Sequence, residues 1–213
     1  MMSPVSVTNQ LKLGADGTTN WGILDLNRNP LTIQNPAAAG ILVTGNGSFN
    51  RYIICEDSTN TARVRWNIGA TSTPTPNIPA IIAGTQNFWP WPYMIPFGIS
   101  STSDTIPFGF YKPTTDNMGY LTVSTYGTPP DNQPWPTNPA PAVTHLNAAD
   151  PAFNNPDNRE YTADRFWFIG ADNPVAGCGV AFLYDAGIVN PASTTSEFPQ
   201  LENNPWNIYA QYW

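Results

Sequence analysis

The side chains that could act as a base or an activated nucleophile are few in this chain. His145 is the single histidine among 213 residues. Any Ser-His-Asp or Cys-His arrangement would have to use it. His145 lies in a proline-rich part of the chain, and its setting, Val143-Thr144-His145-Leu146, gives no hint of such an arrangement. We therefore expect His145 to be a loop or packing residue.

Carboxylates offer another route to catalysis, because a glycoside hydrolase needs two of them facing each other across a cleft. Glu56 ends a predicted strand and Glu160 begins one, while Glu197 and Glu202 lie in a loop rich in proline and asparagine. None is flanked by the alternating aromatic residues that a cleft strand would need. A hydrolase is the weakest functional hypothesis, and we predict no catalytic residue and no enzymatic activity.

Residues with hard oxygen ligands occur in two short runs, 56–60 and 154–158. These residues could bind calcium, although their spacing matches no known calcium loop. Asp and Asn side chains also form such turns by bonding to their own backbone. Gly177 and Gly179 lie in apolar sequence, where close backbone packing explains them better than phosphate binding does. The sequence therefore predicts no metal site and no cofactor.

Two cysteines permit at most one internal disulfide. Cys55 ends one apolar run and Cys178 opens another, so both are expected in buried strands. An even number of cysteines does not by itself identify the redox compartment. The sequence leaves both free thiols and a Cys55–Cys178 bridge open.

Aromatic residues form the most distinctive cluster, Phe-Trp-Pro-Trp-Pro-Tyr at 88–93. Four large rings within this run cannot all face one core from a strand, because alternate side chains point to opposite faces. The rings could form a platform that binds sugars or another protein, or they could cap an open end of the fold. In the first case, the residues that contact a ligand or a subunit are Trp89, Trp91, Tyr93, Trp135 and Trp213.

The elements that must position these residues are predicted to be strands. No segment longer than about two turns has helical spacing, and 23 prolines interrupt the chain. Residues 63–68 alternate, with Arg63 and Arg65 outward and the apolar residues between them inward. Residues 161–169 and 179–184 are richer in apolar residues, as expected of strands covered on both faces. Strands are expected at 5–13, 21–26, 31–34, 41–44, 49–56, 63–68, 78–83, 108–111, 118–126, 161–169, 179–184 and 207–212.

About a dozen short strands separated by turn-forming residues predict an all-β fold. We expect an antiparallel β-sandwich of jelly-roll type with long proline-rich loops, and a single domain spanning residues 1–213. No internal repeat is detectable. Residues 127–160 hold eight prolines and few strand formers, so they are expected to form a projecting loop or arm.

The chain is poor in charge. Asp, Glu, Lys and Arg make up 11% of its residues, against roughly 25% in an ordinary soluble protein. The net charge of −7 and the absence of a basic cluster argue against contact with nucleic acid or anionic membranes. The sequence has no apolar run long enough to span a bilayer and no recognisable signal peptide. A surface so poor in charge favours contact with glycans, a partner or copies of itself.

These features predict a non-enzymatic structural protein that self-assembles, such as a viral coat, a spike, or a similar particle or filament subunit. Its expected partners are copies of itself, and its expected location is a virion or an extracellular assembly. The chain ends on Tyr212-Trp213, an apolar end that is expected to be buried in its own sheet or a neighbour's. The alternative is a lectin-like carbohydrate-binding module with an exposed Trp/Tyr platform, whose partner would be a glycan or a receptor.

Overall fold

The fold is built from short β-strands. A computed structural model of the protein describes residues 4–14, 22–44, 51–75, 91–99, 106–128, 133–136 and 165–182. Within these ranges there are thirteen strands and a single-turn 3-10 helix, Ala38–Gly40. The strands are β1 (Val5–Val7), β2 (Leu11–Gly14), β3 (Leu24–Asp25), β4 (Pro30–Ile33), β5 (Ile41–Thr44), β6 (Ile53–Ile54), β7 (Arg63–Asn67), β8 (Tyr93–Ile95), β9 (Phe97–Gly98), β10 (Phe108–Tyr111), β11 (Tyr120–Gly127), β12 (Arg165–Ala171) and β13 (Gly179–Phe182).

The first strands pair in parallel with strands one winding later in the chain. β1, β2 and β3 pair with β4, β5 and β6, respectively. Val5 lies opposite Leu31, Leu11 opposite Ile41 and Leu24 opposite Ile53, so partners are 26, 30 and 29 residues apart. β7 then stacks on β4, and β9 stacks on β6. This is the topology of a short parallel solenoid, in which each winding covers the previous one.

Parallel, in-register stacking places apolar side chains above one another along the winding. Leu31 lies opposite Val64, and Ile33 lies opposite Trp66. All four side chains are fully buried. Because a strand of two to five residues cannot bury much surface alone, these stacks are what stabilise the windings.

The second half of the chain adds antiparallel strands to this core. β7 is extended by β11 and then β12, giving the five-stranded sheet β1-β4-β7-β11-β12. A separate antiparallel sheet has the order β13-β10-β8. β7 is therefore the strand at which parallel pairing gives way to antiparallel pairing.

Aromatic side chains join the antiparallel sheet β13-β10-β8 to the five-stranded sheet. The ring of Trp66 on β7 meets that of Tyr93 on β8 edge-on, with centroids 5.1 Å apart. Trp167 on β12 lies 6.0 Å from Phe108 on β10 and 5.0 Å from Phe182 on β13. The two sheets thus share one hydrophobic core.

The all-β class is confirmed, but the expected purely antiparallel arrangement is wrong. The described residues form four sheets, and three of them contain parallel pairs: β1-β4-β7-β11-β12, β2-β5 and β3-β6-β9. A jelly roll, which is antiparallel, is therefore not confirmed. Each predicted strand range within the described residues contains a strand, while 78–83 and 207–212 lie outside them. The sequence analysis missed β8 and β9, because we interpreted the Trp-Pro run at 88–93, where β8 begins, as a binding platform or an end cap.

Candidate functional site: the apolar sheet edges

Two residues of the predicted aromatic platform are core residues. Trp91 is 8% exposed and Tyr93 is 1% exposed. Trp91 packs on Tyr111, with ring centroids 5.4 Å apart. The Tyr93 hydroxyl donates a hydrogen bond of 2.7 Å to the Pro36 carbonyl. The expectation of an exposed platform is therefore wrong at these two positions, because β8 turns Tyr93 into the core and Trp91, before β8, packs on Tyr111.

Of the other three predicted contact residues, the structure describes only one. Trp135 is half-buried. The residue before it, Pro134, accepts a 2.8 Å hydrogen bond from the hydroxyl of Tyr126, which holds residues 133–136 against β11. Trp89 and Trp213 lie outside the described residues, as do His145, Glu160 and most of the proline-rich segment 127–160.

Glu56, one of the four glutamates considered for catalysis, is engaged by neighbouring residues. Its Oε1 accepts a 2.7 Å hydrogen bond from Nη1 of Arg165, whose side chain is 4% exposed. Its Oε2 accepts a 2.6 Å bond from the backbone N–H of Gly127. Glu56 thereby connects the segment after β6 to β11 and β12, so its contacts are those of a structural residue.

Asp57 organises the turn in the predicted 56–60 run. Its Oδ1 accepts bonds from the N–H and hydroxyl of Thr59, and its Oδ2 accepts bonds from Thr61 and the N–H of Ala62. Asn60 completes the turn with a positive φ of 55°, a conformation that Asn tolerates. Within the described ranges no three His, Cys, Asp or Glu side chains are grouped to hold a metal ion, and residues 154–158 lie outside them.

Both cysteines are free thiols. Cys55 is fully buried and its Sγ lies 2.9 Å from the Ala62 carbonyl. Burial raises the pKa of the Cys55 thiol to about 12. Cys178 is partly accessible, and burial also raises its pKa.

We expect a thiol reagent to distinguish the two cysteines. At pH 8, a chromogenic disulfide reagent should label one thiol per folded chain, at Cys178, because the thiolate is the reactive form and Cys55 is both enclosed and protonated. Cys55 should react only after unfolding in urea. A Cys178→Ser variant is the control: rapid labelling of that folded variant would contradict the prediction, as would the absence of labelling in the folded wild type.

The exposed large hydrophobic residues lie on edge strands. Among the described residues they are Val5 at 51%, Ile169 at 38%, Val180 at 42% and Phe182 at 38% exposure. Among the strands that the structure describes, β1 and β12 are the two edges of the five-stranded sheet, and β13 is an edge of the sheet β13-β10-β8. The expectation that residues 161–169 and 179–184 are covered on both faces is therefore wrong for their described parts, 165–169 and 179–182.

β12 and β13 together form one apolar surface, which we call the seam: Trp167, Ile169, Val180 and Phe182. Phe182 contacts Trp167 and Phe108, with ring centroids 5.0 and 5.8 Å apart. The seam is thus the margin of the core where the two sheets meet at their edges. The feature of the sequence that could have revealed the seam is the apolar character of these two strands, which we interpreted as strands covered on both faces.

The strands at these edges also lack the charged residues that usually block edge pairing. Across β1, β12 and β13, Arg165 is the one charged residue. It is 8% exposed and paired with Glu56. The two lysines do not protect these edges either, since Lys12 is on β2 and Lys112 is fully buried.

Within the described part of the chain, no helix has the length and apolar character needed to cross a membrane.

Comparison with known proteins identifies no relative. No protein-family model matches the chain, no curated protein matches it, and no solved structure matches it. Function must therefore be inferred from the residues and their geometry.

Proposed function

We propose that this chain is a non-enzymatic structural subunit that assembles with copies of itself through the seam. The observation that supports this most is the exposure of Ile169, Val180 and Phe182 at the meeting edges of two sheets. Contiguous apolar surface at a sheet edge is stabilised when another molecule covers it. A coat, spike or similar particle or filament subunit, in a virion or another extracellular assembly, fits this behaviour.

A second copy of the chain is the partner that these edges favour. The edge strands expose apolar side chains and no charge, so two identical edges can approach without electrostatic repulsion. The five-stranded sheet also exposes an apolar residue at its opposite edge, Val5 on β1. A contact between unlike edges would let assembly continue to a ring or a filament, whereas a contact between like seams would close as a dimer.

We expect Val180→Lys to shift the protein toward the monomer. A lysine on the edge strand β13 adds charge and blocks strand pairing, as lysines do on natural sheet edges. The mass measured by size-exclusion chromatography with light scattering should fall, and dissociation should occur at a protein concentration at least about tenfold higher than for the wild type. Ile169→Lys on β12 should act in the same direction.

The matched control is Ser72→Lys, which adds the same charge at an exposed position in the loop after β7. It should leave the oligomer unchanged. A wild-type protein that stays monomeric at high concentration and varied salt would contradict the proposed assembly. Equal effects of Val180→Lys and Ser72→Lys would contradict the seam as its contact surface.

A further inference from the structure

A cavity lies on the outer face of the five-stranded sheet, opposite the core. It has a volume of about 310 Å3, and the side chains around it come from three adjacent strands and the residue after β12. It is lined by Arg63, Arg65, Thr122, Phe168, Gly170 and Asp172. The seam lies at the other face of β12, so the cavity is a separate surface.

The two arginines of the cavity differ in their surroundings. Arg65 lies 3.7 Å from a carboxylate oxygen of Asp172, and its guanidinium lies 4.6 Å from the ring centre of Tyr120. Within the part of the chain that the structure describes, the Arg63 side chain makes no hydrogen bond or ion pair, and its Nε is enclosed without a hydrogen-bond partner. An enclosed guanidinium nitrogen without a partner is costly. Arg63 therefore brings an uncompensated positive charge to the cavity.

Gly170 makes room for the Phe168 ring beside these arginines. In the sheet it lies opposite Thr122, which lies opposite Arg65. A Cβ atom at position 170 would lie 3.0 Å from the ring of Phe168. The missing side chain leaves the Phe168 ring as a wall of the cavity, with the Thr122 hydroxyl and the Asp172 carboxylate near it.

We propose that this cavity binds an acidic sugar at the end of a glycan. The carboxylate or sulfate group would bind Arg63, because a guanidinium matches the geometry of such anions. The C–H face of the sugar ring would pack on Phe168, and its hydroxyls would bond to Thr122 and Asp172. The volume is at the lower end of the range for small-molecule sites, which suits one sugar residue.

Other anions fit these residues less well. A free inorganic anion would gain nothing from the aromatic wall. A polyanion such as nucleic acid needs several uncompensated cations, whereas the cavity offers Arg63 and a second arginine already paired with Asp172. The inference is independent of self-assembly, since it uses a different face of the sheet.

Isothermal titration calorimetry, which measures the dissociation constant, tests the proposal when the full-length protein is titrated with three related sugars. Sialyllactose carries a carboxylate, lactose 3′-sulfate carries a sulfate, and lactose is neutral. We expect at least one acidic sugar to bind at least about tenfold more tightly than lactose, the difference expected for one charge-assisted hydrogen bond. Comparing the two acidic sugars shows whether the cavity prefers a carboxylate or a sulfate ester.

Variants locate the binding. Arg63→Gln should weaken binding of the acidic sugar at least about tenfold, and Arg63→Lys, which keeps the charge but loses the planar fork, should weaken it less. Phe168→Leu should weaken binding of the same sugar while leaving the charge unchanged. Lys12→Gln, an exposed position on β2, matches the charge change of Arg63→Gln and should have no effect.

Three results would overturn the proposal. The first is binding of neither acidic sugar, or equal binding of lactose. The second is unchanged affinity in both Arg63→Gln and Phe168→Leu. The third is a change of oligomeric state in Arg63→Gln without sugar binding by the wild type, which would make the cavity a contact between subunits. The sugar titration does not depend on the oligomer, so its failure is distinguishable from failure of the proposed assembly.

Discussion

Replacing Trp66 with alanine should lower the free energy of unfolding by about 4 kcal/mol, the largest effect we expect from a single substitution in this protein. Trp66 is fully buried in β7, the strand shared by the parallel and antiparallel parts of the five-stranded sheet. Its indole N–H donates a 2.8 Å bond to the Asn35 carbonyl. Its ring also packs on Tyr93, so the substitution would open a cavity between the two sheets.

Urea unfolding of matched variants checks this prediction. Trp66→Phe should cost about 2 kcal/mol, because most of the ring is kept but the Asn35 carbonyl loses its donor. Phe166→Ala is the control, since Phe166 is a half-buried aromatic residue on β12 of the same sheet. A loss for Trp66→Ala no greater than the loss for Phe166→Ala would show that Trp66 does not hold the core together.

Replacing Asp57 with asparagine should lower the free energy of unfolding by about 3 kcal/mol at neutral pH. Asp57 is 6% exposed, and both of its carboxylate oxygens accept hydrogen bonds. An amide group at this position would turn N–H donors either toward the N–H of Thr59 or toward those of Thr61 and Ala62. The ion pair with Arg28 adds little, because it spans 3.9 Å and the Arg28 side chain is 75% exposed.

The same substitution should also change how stability depends on pH. Burial alone would raise the pKa of Asp57, but the hydrogen bonds from Thr59, Thr61 and Ala62 outweigh burial and hold that pKa well below its ordinary value of 3.8. Because the pKa is lower in the folded state, this stabilisation is complete above the unfolded pKa. It is lost as the pH falls from about 4 toward the folded pKa. Asp57→Asn should remove that part of the acid sensitivity.

Unfolding free energies measured at neutral pH and at several acidic values test both effects. Asp25→Asn is the control, because Asp25 is exposed and accepts one local hydrogen bond, from the N–H of Asn27. It should cost about 0.5 kcal/mol or less. If the slope of stability against pH in the acidic range is the same for Asp57→Asn and the wild type, Asp57 is not the group responsible.

The sequence located most local structure but misjudged which surfaces are exposed. Alternation at residues 63–67 correctly placed Arg63 and Arg65 outward and Val64 and Trp66 inward, because side-chain direction in a strand depends only on the local period. Exposure depends also on what lies above the strand. Trp91 and Tyr93 lie under other elements, whereas Ile169, Val180 and Phe182 lie at sheet edges.

The candidate surfaces could be predicted only in part for the same reason. Arg63 and Arg65 were recognised as outward-facing, but Phe168 and Gly170 are about a hundred residues away in the chain. Their place beside the arginines depends on the register of β11 with both β7 and β12. A shift of one residue in either pairing would turn the alternate side chains toward the cavity. No local pattern contains that register.

The amino-acid sequence by itself determined that this protein is an all-β chain, poor in charge, whose short strands have a defined inward face. Those properties depend on residue type and on a period of two, both of which are local. Only the tertiary structure decided that the first strands stack in parallel windings, with partners 26 to 30 residues apart. It also decided which strands became edges, because pairing partners are selected by long-range burial of side chains such as Leu31 and Trp66.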